Sequence, residues 1–195
     1  MKTLLVWLER GLLAVGVALA VWCAVVLVEA RFTQQLPVEA PLRVTQTLPD
    51  GVDAGRPREQ TPAAPAVGSV IARIELPRLQ LSTAVLEGTD DETLRRGAGH
   101  IEDTPLPGES GNVGIAGHRD TVFRALRHAK VGDEIDVRTG DRVMRYTISR
   151  TLIVKPEDVY VLDPTKEPTL TLVTCYPFEF IGHAPKRFIV QAAAK

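Results

Sequence analysis

Residues 11–28 read GLLAVGVALAVWCAVVLV, eighteen positions without a charge, preceded by the apolar residues 4–8 and closed by Glu29, Ala30 and Arg31. At about 1.5 Å of rise per residue this run spans roughly 27 Å, near the ~30 Å of a bilayer's hydrocarbon core, and predicts a transmembrane helix. Lys2, Arg10 and the free amino terminus precede it. The positive-inside tendency therefore predicts a single-pass protein of the plasma membrane, its N-terminus cytoplasmic and everything after Arg31 outside. Val28-Glu29-Ala30 loosely fits the small-x-small site of a cleaved signal peptide, but the apolar run exceeds the roughly 7–15 residues of an h-region, which favours an uncleaved anchor. Cys23 follows Ala20, Val21 and the bulky Trp22 and reads as an apolar membrane residue rather than a lipidation site.

The pattern then breaks. Prolines at 37, 41, 49, 57, 62 and 65, with Gln and Thr among them and no sustained apolar period, predict a tether over residues 32–68. From residue 69 onward apolar positions alternate in short runs: Val70, Ala72, Ile74; Ile135, Val137; Tyr146, Ile148 and on to Val154; Leu170, Leu172; Phe188, Val190. Runs of this length, punctuated by Gly, Pro and Asp, predict strands of a mainly β, mostly antiparallel domain over 69–195, and many short strands in about 127 residues favour a small closed barrel. Helical signals are short: Asp90 and Asp120 each precede a brief apolar stretch and are expected to cap it.

Composition narrows the function. With 23 basic against 24 acidic residues and the basic ones scattered, nothing on the chain is built to neutralise phosphates, so no nucleic-acid partner is expected. Two cysteines exclude a multi-disulfide framework, and four histidines with one candidate thiolate argue against zinc. The acidic pairs Glu102-Asp103 and Glu157-Asp158 read as solvated loop residues, so neither a metal nor a cofactor is expected.

Two strand-like runs, Thr169 to Cys175 and Lys186 to Ala192, are separated by ten residues containing Pro177, Gly182 and Pro185. An antiparallel hairpin sets the end of the first beside the start of the second. Period-two parity then puts Thr171, Val173 and Cys175 opposite Leu170 and Leu172, and Arg187 and Ile189 opposite Phe188 and Val190, so Cys175 and Arg187 both face away from the core. In Asn112-Val-Gly-Ile-Ala-Gly-His118, parity puts His118 opposite Val113 and Ile115. Cysteine, histidine and arginine suffice for acyl transfer: a thiolate attacks, an imidazolium protonates the leaving amine, and a guanidinium steadies the oxyanion. Each alone also has an ordinary structural reading, and spacing does not bring His118 to Cys175.

The segment Thr171-Leu-Val-Thr-Cys175, followed by Arg187 and preceded by Gly117-His118-Arg119 at the end of an Asn112-x-x-Ile115 strand, resembles the sortases, membrane-anchored cysteine transpeptidases of bacterial surfaces. Val154-Lys-Pro-Glu-Asp-Val159 with Val161-Leu-Asp163 resembles the segment before their catalytic strand, and the stretch from Cys175 to Arg187 is most similar to the class D branch. The resemblance covers residues 69–191. It implies an eight-stranded barrel in which Cys175 attacks the Thr carbonyl of an LPxT-like sorting signal on a surface protein and forms a thioester. An amine acceptor, a cell-wall precursor or another protein, then resolves it. His118 would be the general acid and then the base, and Arg187 would hold the threonine or the oxyanion. An apolar groove for the signal is expected from Ala116, Val159, Val161, Leu162, Val173 and Thr174. His100 is expected to shape that groove, His128 to complement a short helix, and His183 to line the pocket or be solvated. Two other readings stay open on sequence alone: a cysteine peptidase or amidase using water as acceptor, and a non-catalytic, membrane-tethered β module that binds a partner.

Overall fold

The computed structural model describes residues 2–35, 64–180 and 182–195. Helix α1 spans Lys2–Gln35. Within it Glu9–Val28, twenty residues with a mean hydropathy of 2.7, is long and apolar enough to cross a membrane. The helix continues past Arg31, where the sequence suggested an end, as far as Gln35. Most of the predicted tether lies outside the described residues.

The second unit is a closed barrel of eight strands: β1 (Val70–Leu76), β2 (Leu81–Glu87), β3 (Ala98–His100), β4 (Asn112–Gly117), β5 (Glu134–Thr139), β6 (Arg142–Val154), β7 (Thr169–Tyr176) and β8 (Lys186–Ala194). Around the barrel the order is β1, β2, β3, β4, β7, β8, β6, β5. Six neighbouring pairs are antiparallel, while β2 with β3 and β4 with β7 are parallel. The first parallel pair is joined through α2 (Asp91–Arg96), whose N-cap Asp90 accepts from the amides of Glu92 at 3.0 Å and Thr93 at 3.1 Å, as its position before the helix predicts. The long β6 pairs with β5 along its first half and with β8 along its second, and the β8 register shifts between Ile148 and Arg150.

Alternation decides which side chains fill the barrel. Ile74, Val85, Val113, Ile115, Ile135, Val137, Tyr146, Ile148, Leu170, Leu172, Val190 and Ala192 form the buried interior. The opposite face of β7 and β8 is apolar too: Val173 and Ile189 pack outside the barrel with Leu152, Val154, Val161 and Leu162 in a second, smaller cluster. A 3-10 turn, Val159–Leu162, lies on that outer face. It is pinned by hydrogen bonds to the Val161 carbonyl from Asn112 Nδ2 at 3.0 Å and Gln191 Nε2 at 2.8 Å, while Thr171 Oγ1 donates to Asn112 Oδ1 at 2.7 Å. All three polar residues are buried, so their mutual satisfaction is what allows the turn to dock.

The expected cap at Asp120 is not made. The 3-10 segment Arg124–His128 begins after Phe123 with no side-chain cap. Instead Phe123 is fully buried and its amide donates to the His118 carbonyl at 3.0 Å, so an apolar anchor starts this segment.

Candidate active site

Strand register assembles the site. In β7 and β8, Cys175 pairs directly with Arg187, and in β4 and β7, Gly117 pairs with Thr174. The next residue on each parallel strand brings His118 level with Cys175. Three neighbouring strand ends thus carry a histidine, a cysteine and an arginine in that order at one end of the barrel. Directly paired residues point to the same side of a sheet. Cys175 shares its face with Val173, in the outer cluster, while Thr174 shares its face with Phe188, against the interior.

Local chemistry fixes each position. Thr174 is buried and its hydroxyl donates to the Gly117 carbonyl at 2.7 Å, locking β7 to the end of β4 one residue before His118 and Cys175. Gly117 is obligatory there, since a Cβ on it would stand 2.6 Å from the Phe123 ring. Cys175 is a free thiol, partly exposed. Arg187 Nη1 donates to the carbonyls of Ala184 at 3.3 Å and Lys186 at 3.1 Å, which orients the guanidinium at the start of β8. After Cys175, Tyr176, Phe178 and Phe188 pack as an aromatic group, with ring centroids of Phe178 and Phe188 5.3 Å apart. A thiol, an imidazole and a guanidinium gathered this way can carry acyl transfer without a metal, and no cluster of metal ligands occurs among the described residues.

The expected groove residues divide. Ala116 pairs with Val173 on the outer face below His118 and Cys175, and Leu162 packs on the same cluster. Val159 stands exposed on the 3-10 turn. Val161 is buried and serves the turn's anchorage through its carbonyl. Thr174 lies on the other face. Leu152, not singled out in the sequence, packs on the same outer cluster, and Ile189 is buried within it on the face that parity gave it beside Arg187.

The other histidines take separate places. His100 is buried, its Nε2 donating to the Pro105 carbonyl at 3.0 Å and its Nδ1 2.9 Å from Glu87 Oε2. It pairs with Ile115, on the interior face, rather than shaping the groove. His128 ends its 3-10 segment exposed, and its carbonyl accepts from Arg78. It borders a cleft of about 580 Å³ with Gln80, Ser82, Thr121, Arg124 and Arg127. His183 is exposed.

Comparison with known proteins places the fold. The chain is 36% identical over 127 residues to Sortase D of Bacillus subtilis (strain 168), covering 65% of this chain and 64% of that protein. It is 32% identical over 132 residues to Sortase A of Streptococcus agalactiae serotype III (strain NEM316), covering 63% and 52%. The chain therefore spans less than two-thirds of either relative's length. Among solved structures, a sortase D5 transpeptidase of Clostridium perfringens superposes with a TM-score of 0.62 at 34% identity, covering 68% of this chain and 82% of that one. Sortase A from Corynebacterium diphtheriae gives 0.61 at 30% identity, covering 65% and 60%. Residues 74–195 match the sortase domain family, and the chain belongs to the sortase family.

Proposed function

We propose that this protein is a membrane-anchored cysteine transpeptidase that cleaves an LPxT-like sorting signal after its threonine and transfers the surface protein to an amine acceptor. The observation that supports it most is the register in which Cys175 faces Arg187 and the residue pair preceding His118 and Cys175 is locked together. Cys175 Sγ attacks the threonine carbonyl, and the carbon–sulfur bond forms as the peptide carbon–nitrogen bond breaks. His118 gives its proton to the departing amine. The acceptor amine then attacks the thioester, passing a proton back through His118 to the thiolate leaving group. Arg187, held by two backbone carbonyls, offers its remaining donors to the oxyanion or the threonine hydroxyl.

The apolar side chains of the signal would lie on the outer floor made by Ala116, Leu152, Leu162 and Val173 over the buried Ile189, with Val159 at its rim. Residues 1–31 would anchor the protein, residues 32–68 would tether it, and residues 69–195 would act outside the cell. The reading is tested with the full chain in detergent, given LPxTx peptides with and without an added amine and followed by mass spectrometry. Cleavage after threonine with amine-dependent ligation, absent in a folded Cys175→Ala variant, is the expected result. Cleavage that ignores the amine makes water the acceptor, and turnover by Cys175→Ala overturns the mechanism.

A further inference from the structure

The segment after Cys175 is gripped from two sides. Arg119, next to His118, sends Nη2 to the carbonyls of Phe180 at 2.6 Å and Gly182 at 2.9 Å, and its guanidinium lies 6.0 Å from the Phe180 ring centre. Its Nη1 is buried with no hydrogen-bond partner among the described residues, so that end of the half-buried guanidinium is turned in from the surface. Arg127, from the 3-10 segment that follows, pairs with Glu179 at 3.0 Å and lies 5.7 Å from the Phe178 ring centre. From the other side Arg187 holds the carbonyls of Ala184 and Lys186. The corner that follows the histidine and the loop that follows the cysteine are therefore one joined unit.

We infer that Arg119 is a positioning residue that fixes this loop against the His118 corner and so governs whether the acyl-enzyme is resolved by amine or by water. The inference rests on the transpeptidase reading above. Nη2 serves both carbonyls while the guanidinium lies by the Phe180 ring, a combination that a lysine ammonium on a flexible stem reproduces less well. Productive aminolysis needs the amine held near the thioester carbon and bulk water kept away, both of which demand a loop of fixed position. Water, small and abundant, gains when the loop loosens, whereas a specific amine loses its seat.

The test compares wild type, Arg119→Gln and Arg119→Lys as full chains in detergent. Hydrogen exchange at the Phe180 amide, which donates to the Pro177 carbonyl at 3.4 Å, reports the loop, and the ratio of ligated to hydrolysed peptide reports the acyl-enzyme. Arg119→Gln is expected to exchange several-fold faster and to shift the ratio about tenfold toward hydrolysis with a raised KM for the amine, with Arg119→Lys between it and wild type. Unchanged exchange overturns the clamp, and faster exchange with an unchanged ratio reduces it to a structural contact and overturns the inference. A wild-type chain that forms no thioester overturns the transpeptidase reading and the partitioning role with it. A wild type that forms one while Arg119→Gln partitions identically overturns this inference alone.

Discussion

Gly117 has no room for a side chain, and that makes it the most exacting position beside the site. A methyl group there meets the Phe123 ring, and Phe123 holds the His118 carbonyl through its amide. Gly117→Ala is expected to cost about 1–3 kcal/mol in chemical denaturation, as overpacking of a tight core does, and to lower turnover by displacing His118. Unchanged stability and turnover would mean that Phe123 yields freely. At this scale the sequence was legible where parity alone decides: Cys175, Arg187 and Val173 fell on the face that alternation assigns. Thr174 shows the limit of the same rule, because adjacency to the cysteine put it among the groove residues while parity turned it to the other side. The buried trio Asn112, Thr171 and Gln191 was not legible, since its partner is a backbone carbonyl of a distant turn.

The turns that join the strands carry their own electrostatics. Arg78, in the 3-10 turn Pro77–Leu79 after β1, forks onto both oxygens of Asp133 just before β5, and the Lys130 amide donates to Asp133 Oδ2 at 2.8 Å. The Arg78 hydrogen bond foremost, opposed by burial and helped by the Lys130 amide, holds the Asp133 carboxyl below the usual carboxylate range. A carboxyl whose pKa is lower in the folded state stabilises the fold above its unfolded value, ~3.9, and loses that contribution as pH falls toward the folded value. Wild type is thus expected to melt above Asp133→Asn near neutral pH, with the gap closing in acid below about pH 4. A gap that stays constant across that range would remove the linkage. Strands such as β1, β5 and β8 could be read from alternation, whereas β2 could not: six of its seven residues are buried and only Ser82 is exposed, so no period shows. β3 has three residues, too few for any pattern. The parallel pairing of β4 with β7 spans more than fifty residues of chain and is a property of closure that no local spacing announces.

On the scale of the whole molecule, the two cysteines make a topological pair, both free, Cys23 in α1 and Cys175 at the end of β7. If the barrel stands outside the membrane, a membrane-impermeant maleimide added to intact cells labels Cys175 alone, and labelling only after permeabilisation would put the barrel on the inner side. The barrel also has an order of assembly written into it. β8 follows the other seven barrel strands in sequence, yet it stands between β7 and β6 and pairs with both. Until Lys186–Ala194 emerges during synthesis, those two strands keep open edges, the ring has a missing stave, and Cys175 lacks the arginine opposite it. A nascent chain halted before residue 186 is therefore unclosed and without Arg187. In the proposed mechanism the thiol gains its guanidinium partner only once β8 has taken its place between β6 and β7.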